Sequence, residues 1–142
     1  MFRVIHRLQR IDSGDALSYP VEEATFDAAV SWMALHHIPD RPHLCGRIAR
    51  AIGPNGGCYI EDLYMRTSFS SRDLEDVHQV LAGNSVTSIE EFTKDIRAAG
   101  LRLVEINDLT ADVIRSLPND KQCGKSIGEA THSNMVQIPM RP

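Results

Sequence analysis

The chain is poor in the features that mark several protein classes. It has three cysteines and one tryptophan in 142 residues. Cys45, Cys58 and Cys123 are odd in number and widely spaced, which excludes a closed disulfide framework and a CxxC zinc site. They read as reduced, buried thiols of a cytoplasmic protein. No apolar run nears the ~20 residues that span a bilayer. The basic start MFRVIHRLQR lacks the apolar stretch of a secretory signal. No membrane partner is therefore expected. The net charge is -4 and the pI about 5.8, with no basic cluster. Nucleic acid is not expected either, because neutralising phosphates supplies most of that affinity. GxSxG, P-loop and GxGxxG motifs are all missing. Without a dinucleotide fingerprint, a nicotinamide-dependent reductase has little support. His36, His37 and His43 lie close in sequence, but no HExxH spacing or thiolate pair makes them a metal site.

What is present is the balance of one globular domain, 42% hydrophobic and 24% charged. Strand-like and helix-like stretches alternate, which predicts an α/β fold. Residues 9–13 read as a short strand, followed by a loop over 15–25. Residues 26–32 (FDAAVSW) read as an apolar strand covered on both faces. Asp40 caps a helix with Pro42 in its first turn, and Leu44, Ile48 and Ile52 form one stripe. Gly53-Pro54 is expected to end it with a left-handed cap, and Asn55-Gly56-Gly57 to turn into a strand over 58–64. A connection of that length makes the two strands parallel. A second helix is predicted over 71–82, broken by Gly83-Asn84. A third is expected to open with Thr87 as cap and Glu90 completing a capping box, and to stop at Gly100. Residues 101–106 alternate as a half-wet strand near an edge, 117–133 read as loop, and 134–139 as a last strand.

Ligands of open parallel sheets bind outside the carboxyl ends of the strands. Asp15-Ala16, Trp32 to His37 and Glu61 to Tyr64 are expected there. The Asp15 carboxylate can accept from an exocyclic amine such as that of adenine, or simply hold a solvated turn. Trp32 can pack on a flat or cationic ligand, or serve as a core or rim aromatic. Of the pair His36-His37 only one ring is expected to face a cleft. His37 can act as a general base, or bond the backbone. Glu61 or Asp62 can orient a cationic acceptor, or cap and solvate a turn; neighbours on a strand face opposite ways, so at most one does so.

Residues 14–64 resemble the central block of class I S-adenosylmethionine-dependent methyltransferases of the small-molecule type. The resemblance rests on Gly14-Asp15-Ala16, Tyr19-Pro20, Phe26-Asp27, the run Leu35 to Asp40 and the run Gly53 to Gly57, in that order. Residues 88–110 also resemble the family's late helix and strand, especially in N-methyltransferases of amino alcohols and glycine derivatives. The resemblance covers about residues 9–112. It implies a Rossmann-like, mostly parallel sheet, S-adenosylmethionine as cofactor and a small-molecule substrate. It further implies that Asp15 and Ala16 contact the adenine, that Trp32 lines the cofactor pocket and that His37 helps remove the acceptor proton. Glu61 and Asp62 point to an amine as acceptor.

The resemblance also implies an omission. The family's glycine-rich loop and the acidic residue for the ribose hydroxyls precede the Gly14-Asp15-Ala16 block, which only 13 residues precede here. The expectation is a single, N-terminally truncated methyltransferase domain over 1–142, with its first two strands missing. The fourth strand of the family's sheet then shows a bare apolar edge, open to a homo-oligomer. The alternative function is a non-catalytic remnant acting as an association module.

Overall fold

A computed structural model of the chain describes residues 12–110 and the backbone of 133–137 and 140–141. The elements run β1 (Phe26–Trp32), a 3-10 turn (Leu35–His37), α1 (Arg41–Ala51), β2 (Ile52–Met65), α2 (Ser71–Leu81), α3 (Ile89–Ala98), β3 (Arg102–Leu103), β4 (Asn107–Asp108), β5 (Ser133–Gln137) and β6 (Met140–Arg141). The strand expected over 9–13 falls mostly outside the described residues, and Asp12 and Ser13 are not in a strand. Cys123 and the loop expected over 117–133, save Ser133, also lie outside them. Among the described residues no helix is long and apolar enough to cross a membrane.

The strand–helix–strand unit is as the sequence predicts, and β1 and β2 pair in parallel. β5 and β6 run antiparallel to β2 and separate it from β4 and β3, so the 101–106 region does reach an edge. Only Arg102–Leu103 of it is strand, and β4 follows just beyond at Asn107–Asp108. Asp40 caps α1 by accepting from the His43 amide at 3.1 Å.

Three local expectations give way to the packing. The left-handed cap at Gly53 does not form: the chain leaves α1 through Ile52 in an extended conformation and enters β2 at once. Residues 53–56 instead make an excursion inside the strand, because Phe26 pairs with Ile52 but Ala28 with Gly57. Gly56 allows it, since a Cβ there would sit 2.8 Å from the Asp27 carbonyl oxygen. The cap of α3 is Ser88, which accepts from the Glu91 amide at 3.2 Å. Thr87 is buried instead: its hydroxyl donates to the Glu91 carboxylate and its carbonyl accepts from Met65. Finally, β1 is not covered on both faces. Val30 is 71% and Trp32 70% exposed, and Phe26 is exposed beside them.

The core lies between β2 and the two helices α1 and α3. Leu44, Cys45, Phe92 and Ile96 cluster with Ile52, Cys58 and Ile60. Side chains alternate along a strand, so Cys58 and Ile60 face these helices while Tyr59 and Glu61 face the other way. α2 is anchored more lightly. Ser70 and Asp73 form its capping box, Val77 is its one buried residue, and Leu74 and Val80 are exposed.

Ile60 has no exposed surface. Ile60→Ala is expected to cost about 2–5 kcal/mol of unfolding free energy in urea titrations. The buried thiols of Cys45 and Cys58 are pushed up to about 11 and about 12, first by burial and then, at Cys45, by the Asp95 carboxylate. Both thus stay protonated and inert at neutral pH. In iodoacetamide labelling at about pH 8 with peptide mapping, both are expected to react only after the chain is unfolded.

Candidate active site

The turn Asp15 to Tyr19 is built on the aspartate. Its Oδ1 accepts from the Leu17 amide at 2.9 Å, its Oδ2 from the Ser18 hydroxyl at 3.2 Å, and its carbonyl from the Tyr19 amide at 2.7 Å. Arg47 of α1 reaches up to this loop, donating to the Ala16 carbonyl at 2.9 Å and to that of Tyr19. Asp15 and Ala16 are exposed. Ala16, with Gly14, Tyr19, Leu44, Arg47 and Ile48, lines an open concavity of about 280 Å³. Asp15, Trp32 and His37 do not line it.

Trp32 ends β1 with its indole exposed. The next residue, Met33, has φ 50° and turns the chain off the strand, its amide donating to the Glu61 carbonyl at 2.8 Å. The turn that follows carries both histidines. Their rings lie 3.9 Å apart, tilted by 47°, but their surroundings differ. His37 is exposed, and its Nδ1 donates to the Ala82 carbonyl at 3.1 Å, which is the backbone-bonded reading of this residue. His36 is buried, and it is His36 that meets a carboxylate.

That carboxylate is Asp62, near the carboxyl end of β2 and itself buried. It accepts from the His36 ring Nδ1, from the His36 amide at 3.1 Å and from the Leu63 amide at 2.7 Å. With Nδ1 committed to Asp62, Nε2 is the ring position left to act as an acceptor. A carboxylate that fixes the tautomer and orientation of an imidazole in this way is the arrangement of a positioned general base. A cavity of about 10 Å³, room for one water, adjoins it, lined by His36, Asp62, Arg41, Ser85 and Phe92 among others.

Glu61 faces away from this pair. Its carboxylate accepts from the Tyr59 hydroxyl at 2.9 Å, and this bond holds the tyrosine above its ordinary pKa. Both strand-end acids are therefore engaged within the protein. Of the two adjacent histidines, it is His36 and not His37 that contacts Asp62, a pair not evident in the sequence. Its signal lay in the parallel register, which sets Trp32 beside Glu61 and so carries the next turn over Asp62.

The sequence pattern of the methyltransferase domain family matches residues 3–106. The chain is similar to 27-O-demethylrifamycin SV methyltransferase of Amycolatopsis mediterranei (strain S699), 32% identical over 99 residues, covering 68% of this chain and 36% of that protein. Among solved structures it is similar to Haemonchus contortus phosphoethanolamine N-methyltransferase 2 in complex with phosphomonomethylethanolamine and S-adenosylhomocysteine. There the TM-score is 0.70 at 20% identity, covering 90% of this chain and 36% of that one. It is likewise similar to the geranyl diphosphate C-methyltransferase of Streptomyces coelicolor A3(2), with TM-score 0.72, 14% identity and coverage of 92% and 53%. The chain thus spans 36–38% of the length of such curated relatives. The pattern match and the fold agree: the chain belongs to the methyltransferase domain family, with a Rossmann-like sheet.

Proposed function

We propose that this chain is a single, partial methyltransferase domain that serves S-adenosylmethionine-dependent methylation of a hydroxyl group on a small molecule. His36 is its general base and Asp62 the residue that positions it. The buried His36–Asp62 pair at the carboxyl end of β2 carries this reading. The exposed Asp15-Ala16 turn and the exposed Trp32 indole fit the adenine end of the cofactor. Each Asp15 oxygen accepts one local bond, and a carboxylate has sites for about four, so an exocyclic amine can still bind. When bound, S-adenosylmethionine supplies an electrophilic methyl group on a sulfonium.

The chain's own residues then have two tasks. The residues at the carboxyl ends of the strands would place acceptor and methyl donor together, which supplies most of the rate of such a transfer. His36 Nε2 would take the acceptor's hydroxyl proton as the methyl group is transferred. The imidazolium so formed stays paired with Asp62. An amine acceptor has less support than the strand-end acids suggested, because both acids are buried, Glu61 faces away from His36, and Asp62 already accepts three bonds. An alcohol, far less acidic than an ammonium ion, also has the greater need of a base. The name of the rifamycin relative points the same way, to a demethylated oxygen.

Calorimetry with S-adenosylhomocysteine is expected to give micromolar binding to the folded chain, with a full-length relative as positive control. Absence of binding would count against the cofactor assignment. His36→Gln is expected to lower methyl transfer to an alcohol panel by about 10²–10⁴-fold and leave cofactor affinity unchanged. Retained activity would sink the base assignment.

A second reading is favoured by one observation, the exposed Phe26, Val30 and Trp32 on β1. β1 pairs only with β2 among the described residues, so its outer edge is open to a second chain. On this reading the domain is a non-catalytic association module, and sedimentation of the folded chain as a strict monomer is the result against it.

A further inference from the structure

The geometry points to Arg41, acting with Asp95 through residues 84–85, as the positioning residue that holds His36 in place; this rests on the reading of His36 as the base. Asp62 fixes one side of the Leu35–His37 turn. The opposite side is held by the segment between α2 and α3. The His36 carbonyl accepts from the amides of Asn84 at 2.7 Å and Ser85 at 3.0 Å. The Ser85 hydroxyl donates to the Leu35 carbonyl at 3.2 Å, and the Asn84 side chain to the His37 carbonyl at 2.8 Å. All three carbonyls of the turn thus accept from two consecutive residues that belong to no helix or strand.

A segment without secondary structure does not place itself. What holds this one is Arg41, the first residue of α1. Its Nη1 donates to the Ser85 carbonyl at 2.7 Å, while Nε and Nη2 grip the Asp95 carboxylate of α3 at 2.9 and 2.7 Å. Both side chains are largely buried, and the guanidinium lies 5.6 Å from the Phe92 ring centroid. Three donors in one plane meet two acceptors on different elements, a task that suits arginine and not lysine. The line of contact runs Asp95, Arg41, Ser85, His36, Asp62. Loss of Arg41 leaves the Ser85 carbonyl unpartnered and the donors above His36 untethered. The imidazole then wanders from Asp62 even where the fold survives.

The test reads the ring itself. Proton–nitrogen NMR of the 142-residue chain follows the His36 Nδ1 proton, assigned by its disappearance in Asp62→Asn, and measures its exchange with solvent. Arg41→Met is expected to keep the far-ultraviolet circular dichroism and to speed that exchange at least ten-fold. Arg41→Lys, which keeps the charge beside Asp95, is expected to give an intermediate value, and it carries the test if Arg41→Met does not fold. Ser88→Ala, which weakens the cap of α3 without touching the clamp, is expected to leave the rate within two-fold. A folded Arg41→Met or Arg41→Lys chain with the parent's exchange rate overturns the proposal. So does acceleration by Ser88→Ala equal to that of Arg41→Met, since the effect is then general loosening. A parent chain with no such proton resonance overturns the His36–Asp62 pair itself, and this inference with it.

Discussion

The Asp62 carboxylate is the point on which the joined carboxyl ends of β1 and β2 hang. It takes three donors, two from His36 and one from the amide of Leu63. Burying a carboxylate is costly unless its oxygens are satisfied, and here they are. The gain is geometric. One side chain near the end of β2 locks the turn that follows β1, so the neighbouring carboxyl ends of two parallel strands become a single unit. Below it, Ile60 and Cys58 face α1 and α3 in the core. Above it, the turn gives its carbonyls to Asn84 and Ser85.

The two faces of the sheet are in different states. The face against α1 and α3 is closed by aliphatic and aromatic side chains and two protonated thiols. The other carries exposed Phe26, Val30 and Trp32 at β1 and a tyrosine–glutamate pair at β2. Edge strands of stable monomers are commonly guarded by lysine, proline or strong bulges. β1 has neither lysine nor proline, only Asp27 and the irregularity between Phe26 and Ala28. Apolar surface so placed is open to contact with a flat molecule or a second chain, and the Trp32 indole is part of it.

Much of the fold was legible locally. The stripe Leu44, Ile48 and Ile52 with its Asp40 cap identified α1, although Ile52 opens β2; Gly100 with φ +83° ended α3, and the apolar runs found β1 and β2. Errors fell where neighbours one residue apart compete. Ser88 took the cap from Thr87 because Thr87 is drawn into a contact with Met65. Gly53 stayed out of the left-handed region because pairing of Ile52 with Phe26 extends the chain there. The same competition governs the histidines: either could have faced inward, and nothing in the pair itself distinguishes them.

The sequence by itself determined the α/β order and the parallel β1–β2 pair, because periodicity, caps and turn residues act over a few positions; the family came from the resemblance of residues 14–64. Only the tertiary structure decided which polar side chains meet. His36 and Asp62 lie 26 residues apart, and Arg41 and Asp95 lie 54 apart. Their meeting depends on the register of β1 against β2 and on the packing of α1 against α3. Those are collective outcomes of core burial, to which no short stretch of chain holds the answer.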